Sequence, residues 1–433
     1  MADVLPFRGL RYAAADLSPL LAGPYDVISP AERARLASVD QHNSVRLILP
    51  EPSDPAQPDS RYLDAAHTLR TWLSSAVLVR DEEPALYRYH QVFTSDEVAG
   101  GQPIVRRGFV GAVLLRDYDD GIIKPHERTL RGPKRDRLEL MTATGAHLSQ
   151  IFTLYSDPER AVDRIFEPFE KAPPLAEGTT PDGTLHRLWR VTDARAIDSV
   201  ASLLEPRSLY IADGHHRYET MLALRDRLFD EPQAAFGTLF LANIDDPGLV
   251  VLPIHRLVHS LADFDAAALV ERAGAAFETE RVTAGARTAA GLRELVAERG
   301  RDRAAFAMVL PGSDDATVFA ARPEARPGGH PAVATLDVSF LHELVLDRLL
   351  GIDAAALEAQ SHVTYVKSTE AALAALAKPS GDGDPTPQAG FFLNPTPVEQ
   401  VVAVADAGQT MPQKSTFFYP KIASGVLFRT VRD

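Results

Sequence analysis

A short apolar run, Ser208–Ala212, ends abruptly in the polar turn Asp213-Gly214-His215-His216-Arg217, and an amphipathic helical pattern, Tyr218–Phe229, comes directly after it. A strand that feeds a helix through so tight a corner restricts the chain to folds that mix sheets and helices. The rest of the sequence carries the same signature. Strand-like runs are read at Leu86–Thr94, Ile104–Arg116, Phe236–Asn243, Leu249–Val258, Gly390–Asn394 and Ile422–Thr430. Helical patterns are read at Arg61–Ser75, Pro133–His147, Asp157–Lys171, Phe264–Arg281, Thr288–Arg299 and Leu336–Leu350. Four segments rich in Pro, Gly and acids punctuate them as loops, at 51–60, 171–184, 322–332 and 379–388. The expected class is α/β, mixed α+β.

With 433 residues, two or three domains are expected. A formal charge of −14 opposes a broad cationic face, so nucleic acid is not an expected partner. Small anions remain compatible, because a few cationic side chains can reverse the sign inside one cleft. The absence of cysteine removes disulfides, thiolate nucleophiles and Cys-based metal sites. Neither a signal peptide at Met1–Tyr12 nor a membrane-length apolar run is read, and a cytoplasmic protein is expected.

Chemistry concentrates at the corner. Gly214 permits a tight backbone path, and helix-start amides together with the helix dipole favour an anion. Arg217 offers a fork suited to phosphate oxygens, and His215 and His216 offer donors or a proton carrier. Asp213 is a candidate magnesium ligand or hydroxyl-orienting base. The plainer alternative makes Asp213 a helix cap and pairs Arg217 with Glu219 or Glu205. A second loop, Gly408–Lys421, gathers Lys414, Ser415, Thr416 and Lys421, either as an anion site or as a solvated surface. A third candidate, Asp26, lies in Gly23–Ser29 as a metal ligand or general base, or in a plain loop before a helix starting at Ser29-Pro30. The basic stretch Lys124–Arg137 lines an anion cleft or a solvated helix face. His255-Arg256 closes an apolar run, where a histidine is more often structural. No Walker loop, Gly-x-Gly-x-x-Gly, His-Glu-x-x-His or Gly-x-Ser-x-Gly is present, which disfavours P-loop kinases, dinucleotide dehydrogenases, zincins and α/β-hydrolases.

The Asp-Gly-His-His-Arg corner resembles the phosphate-binding signature of the ParB/sulfiredoxin superfamily. The whole chain resembles domain-of-unknown-function family 1015, through Pro24–Ile28, Pro125–Thr129, Ala212–Glu219, Phe392–Thr396 and Met411–Lys421. The resemblance implies a ParB/sulfiredoxin-like core at 185–260 in one family-length unit. Residues 1–184 form an N-terminal α/β region, 261–330 an insertion and 331–433 a C-terminal region with an anion-binding loop. Because similar members are pyrophosphate-dependent serine kinases, it further implies Mg²⁺-assisted phosphoryl transfer to L-serine or a similar small hydroxyl compound, from pyrophosphate or a nucleotide. In that picture Gly214, His215, His216 and Arg217 cradle the donor, and Asp213 assists metal or proton transfer. Lys414, Ser415 and Thr416 complete the anion pocket, and Asp26 contacts acceptor or metal. The rival readings are a phosphoserine phosphatase using the same pocket and a non-catalytic nucleotide-sensing or DNA-associated module.

Overall fold

The computed structural model describes residues 1–127, 132–283, 288–377 and 385–432, and the class is mixed α/β, as expected. The chain forms two compact units. The first comprises residues 1–125, 129–250 and 420–433; the second comprises 126–128 and 251–419. The boundaries expected at 184 and 330 do not coincide with this division, because the chain returns to the first unit only at Pro420.

A nine-stranded mixed sheet builds the first unit from β1 (Val4–Leu5), β2 (Leu86–Phe93), β3 (Ile104–Leu114), β4 (Ile123–Lys124), β5 (Ile151–Tyr155), β6 (Ala176–Thr179), β7 (Leu185–Val191), β8 (Leu209–Asp213) and β9 (Phe236–Asn243). The spatial order is β4-β8-β5-β9-β3-β2-β7-β6, with β1 added against β3. Parallel pairs β5–β9 and β4–β8 are set among antiparallel neighbours. Central strands read as continuous apolar runs because both faces are covered: all of β5 is buried. Helices α1 (Pro30–Val39), α2 (Ser60–Ser74), α3 (Gly132–Thr144), α4 (Ala161–Glu170), α5 (Ala194–Leu204) and α6 (His215–Arg227) belong to the same unit. Tyr218, Met221 and Leu224 of α6 enter one core with Ile151, Leu209 and Leu239 of the sheet.

The second unit holds a six-stranded antiparallel sheet of β10 (His255–His259), β11 (Phe277–Val282), β12 (Ala305–Val309), β13 (Ala316–Ala321), β14 (Val363–Val366) and β15 (Pro387–Leu393), in the order β11-β13-β12-β15-β10-β14. Helices α7 (Ala289–Arg299) and α8 (Thr369–Ala377) contribute Leu292, Val296, Ala372 and Leu376 to its core.

Several local readings are corrected. The helix expected over Phe264–Arg281 stops at Ala273, and Phe277–Val282 is an edge strand paired with Ala316–Ala321. The strand expected over Leu249–Val258 breaks at Pro253, which has no amide to donate. Ile422–Thr430 is mostly irregular: Gly425 takes φ +97°, Ser424 and Phe428 make isolated bridges to Ala22 and Leu10, and Arg429–Thr430 forms a short strand against Ala146–His147. The helix expected over Leu336–Leu350 changes to a π-helix at Phe340–Asp347. No described helix is long and apolar enough to cross a membrane.

Two buried histidines make the first unit sensitive to acid. His186, bonded to Tyr89 and Thr180, is pushed down to about 3 by burial. Burial, reinforced by Arg429, also holds His147 well below the usual histidine range. Both stay neutral in the folded chain, whereas the unfolded chain takes up protons below about pH 6.5. Their contribution is therefore complete above about pH 6.5 and is lost as the pH falls, by about 1.4 kcal/mol per pH unit for each histidine. Urea unfolding at neutral pH and at about one and two units below it should show this steepening decline. Equal midpoints under all three conditions would contradict the neutral burial.

Candidate functional site

Strand β8 does not run straight into the corner. Ile211 stands opposite Thr153, yet the next paired residue, Asp213, stands opposite Phe152. Ala212 is an extra residue, and such a bulge bends the strand and re-aims the side chains beyond it. Gly214 then takes φ +94° and sits at the N-cap of α6, with no side chain to cap the helix. A Cβ on Gly214 would lie 3.0–3.1 Å from the Arg217 guanidinium, so the missing side chain lets that group lie against the turn.

Arg217 is 5% exposed, and it bonds the Asp213 carboxylate at 2.6 Å and the Gln150 carbonyl at 2.6 Å. Lys421, from the C-terminal segment that returns to this unit, pairs with the other carboxylate oxygen of Asp213. Burial alone would raise the pKa of Asp213, but Lys421, Arg217 and His215 together hold its carboxyl well below the usual carboxylate range. Beneath lies Arg106 of β3, fully buried over the Phe152 ring at 4.4 Å and bonded to Gln91 at 3.1 Å. Burial draws Arg106 down to about 9, so it keeps its charge at neutral pH. Its backbone partner is the carbonyl of Pro420, next to Lys421. Two cations thus pair with Asp213 at the start of a helix, and the charge of Arg106 acts on both Asp213 and Asp246, within a chain of net charge −14.

This geometry revises several expected roles. Both oxygens of Asp213 are committed to cations, so it is a weak base and a poor magnesium ligand. Among the described residues no cluster of three His, Asp or Glu side chains is placed to hold a metal ion. The donor set does not fit a resident Mg²⁺. Arg217 pairs with Asp213 and not with Glu219 or Glu205, and it is walled in too far to be the outer phosphate fork. Glu219 pairs with Lys134 instead. His215 is buried near Asp213, while His216 is half-buried and its carbonyl accepts from Thr220 at 2.7 Å.

The early segment reaches the same unit. Asp26 is exposed in a short 3₁₀ turn, Tyr25–Val27, ahead of α1, whose first turn is capped by Ser29. Its neighbour Tyr25 lies under the Arg137 guanidinium at 4.4 Å and lines a cavity with Arg137, His147, Ser149, Arg217 and Ser424. The early turn and the Asp213–Arg217 corner therefore converge on one cavity. Arg137 is bonded to Asp136 at 2.8 Å, so this member of the basic stretch is not an open anion ligand. Arg128 and Thr129 of the Pro125–Thr129 segment lie outside the described residues.

Lys414, Ser415 and Thr416 belong to the second unit, where their backbone is tied down internally. The Lys414 carbonyl accepts from Arg256 at 2.9 Å, and its φ is +57°. The Ser415 hydroxyl donates to the Pro412 carbonyl at 2.5 Å, and its own carbonyl accepts from Thr396 at 2.9 Å. Thr416 bonds His126 at 3.0 Å. Both hydroxyls serve the loop, and the exposed Lys414 is the part of the expected trio that faces solvent. His255 has the structural role expected of it, bonded to Thr369 and to the Leu393 amide.

Sequence alone does not bring Lys421, Gln150 or Arg106 to the corner. Lys421 stands out there only as part of its loop, and Arg106 sits in a strand whose register decides which of Arg106 and Arg107 faces inward. His147 and Ser424 carry no motif at all.

A family model described as a protein of unknown function, DUF1015, matches residues 4–339. No curated protein matches the chain. Among solved structures, a free serine kinase in complex with AMP is 16% identical, with a TM-score of 0.33 over 70% of this chain and 89% of that one. A conserved hypothetical protein from Pyrococcus furiosus is 17% identical, with a TM-score of 0.33 over 70% and 90%. A C-terminally truncated SbnI from Staphylococcus aureus is 11% identical, with a TM-score of 0.33 over 73% and 85%.

Proposed function

The chain belongs to the DUF1015 family, and from the corner it carries we propose that it is a phosphotransferase acting on a small hydroxyl compound such as L-serine. The supporting observation is the pairing of two cations, Lys421 and Arg217, with the carboxylate of Asp213 at the uncapped start of α6. Phosphoryl transfer asks mainly for this: a fixed electrostatic seat for the donor and a positioned acceptor. Lys421, the more exposed of the two cations on Asp213, contacts a phosphate oxygen of the donor. Arg217 and Asp213 fix Lys421 and the turn, and the α6 amides complete the cradle.

The acceptor oxygen forms the new bond to phosphorus while the bridging P–O bond of the donor breaks. Asp26, exposed beside Tyr25, is the candidate to take the hydroxyl proton, since Asp213 is committed to cations. Pyrophosphate or a nucleotide serves as donor.

Incubation of the whole protein with L-serine and pyrophosphate, ATP or ADP, with and without a magnesium salt, should give phosphoserine by ³¹P NMR. Formation of no phosphomonoester with any donor would remove the reading. Release of phosphate from phosphoserine alone would replace it with a phosphatase that uses water as acceptor.

A further inference from the structure

Lys421 reaches Asp213 from backbone that belongs to no strand or helix. Residues 421–423 are irregular, and the chain next pairs at Ser424, in a single bridge to Ala22. Irregular backbone inside a protein must find partners for its carbonyls outside any ladder. Here side chains of β2 and β3 supply them. The Gln91 amide nitrogen donates to the Lys421 carbonyl at 2.9 Å, and the Arg106 guanidinium donates to the carbonyl of Pro420. Arg106 also donates from Nε to the Gln91 side-chain oxygen at 3.1 Å. Two residues earlier on β2, the Tyr89 hydroxyl is bonded to the backbone of Ala423.

The strand explains why an amide stands at this place. Alternate residues of a strand share a face, so Tyr87, Tyr89, Gln91 and Phe93 of β2 form one stripe, and all four are buried. A buried amide in an aromatic stripe is costly unless its oxygen and its nitrogen are both bonded. Gln91 stands opposite Arg106 in the antiparallel register, which gives its oxygen the guanidinium and leaves its nitrogen to the returning segment.

The consequence falls on Lys421. Its ammonium ends a flexible four-carbon stem, so where it dwells depends on where its backbone is held. The side chain is 17% exposed, and solvent-facing rotamers open to it once that backbone can shift. We propose that Gln91 is a positioning residue for phosphate binding: it ties Arg106 to the Lys421 carbonyl and so holds the Lys421 ammonium on Asp213, where the donor phosphate is seated. The proposal rests on the phosphotransferase reading for the phosphate, and on the bonds above for the placement of Lys421. Gln91 itself is fully buried and acts through Lys421. A purely structural Gln91 would serve Arg106 and stability alone.

The test is a double-mutant cycle on the whole protein, with pyrophosphate affinity read by titration calorimetry at low ionic strength. Gln91→Met keeps the volume and removes both bonds. Gln91→Asn keeps an amide but is one methylene too short to reach Arg106 and the Lys421 carbonyl together, and it serves if the first variant folds poorly. Either should weaken pyrophosphate binding about threefold to tenfold in the native background, and should cause no further loss in Lys421→Met. An equal loss in both backgrounds, or no loss in either, would overturn the proposal while the phosphate seat stands. If the native protein binds no pyrophosphate, the phosphotransferase reading falls, and the placement is judged from the ¹³Cε resonance of Lys421 in lysine-labelled protein, assigned by its absence from Lys421→Met. Loss of the Gln91 bonds should move that resonance toward its free-lysine position; an unmoved resonance would overturn the proposal as well.

Discussion

Arg217→Ala is expected to destabilise the first unit by about 3–5 kcal/mol, because it removes one half of a buried ion pair and leaves the other half behind. Asp213 would keep Lys421 and the nearby His215, the Gln150 carbonyl would lose the Arg217 donor, and the space against Gly214 would empty. Retention of Lys421 places the effect toward the lower end of that range. Arg217→Lys keeps a charge but not the planar fork that reaches Asp213 and Gln150 together, so it should recover only part of the loss. Chemical denaturation of the three proteins checks this order. A midpoint for Arg217→Ala equal to that of the native sequence would mean that the Asp213–Arg217 pair does not organise the corner.

Lys421→Met is expected to act mainly on binding. Methionine fills nearly the same volume while removing the ammonium, and Asp213 retains Arg217, so the fold should survive with a smaller loss, about 1–3 kcal/mol. The cradle loses its more exposed cation, leaving Asp213 facing the incoming anion with Arg217 as its remaining counterion. A charge-assisted bond to phosphate of about 1.5–3 kcal/mol corresponds to a loss of affinity of roughly tenfold to a hundredfold. The effect should shrink as ionic strength rises, since a partly exposed cation is screened by salt. An unchanged affinity for pyrophosphate at low salt would move the anion site elsewhere.

The corner was legible because strand, glycine and helix leave a local trace. Leu209–Ala212 is apolar, Gly214 marks the reversal, and Tyr218, Met221 and Leu224 recur at helical spacing. Helix α1 after Ser29-Pro30, helix α7 after Thr288 and strand β9 were legible for the same reason. What escaped depends on contacts between residues distant in sequence. Lys421 meets Asp213 only because the last segment folds back onto the first unit. The bulge at Ala212, which sets the direction of Asp213, arises from pairing with Phe152 and has no sequence mark of its own. Composition groups Lys414, Ser415 and Thr416 as an anion loop, yet both hydroxyls are spent on the loop and on His126. The pairing of Asp213 with Arg217 and Lys421, which counts against a magnesium role for it, escaped because a carboxylate's partners are invisible until the chain is folded.

Titration calorimetry with pyrophosphate at low ionic strength, on the native sequence and on folded Lys421→Met, addresses the proposed phosphate seat most directly. Saturable binding by the native protein, weakened at least about tenfold in the variant, is the predicted result. No binding of pyrophosphate, ADP or phosphoserine to the native protein, or equal affinity in the two proteins, would contradict a phosphate seat at Asp213, Arg217 and Lys421.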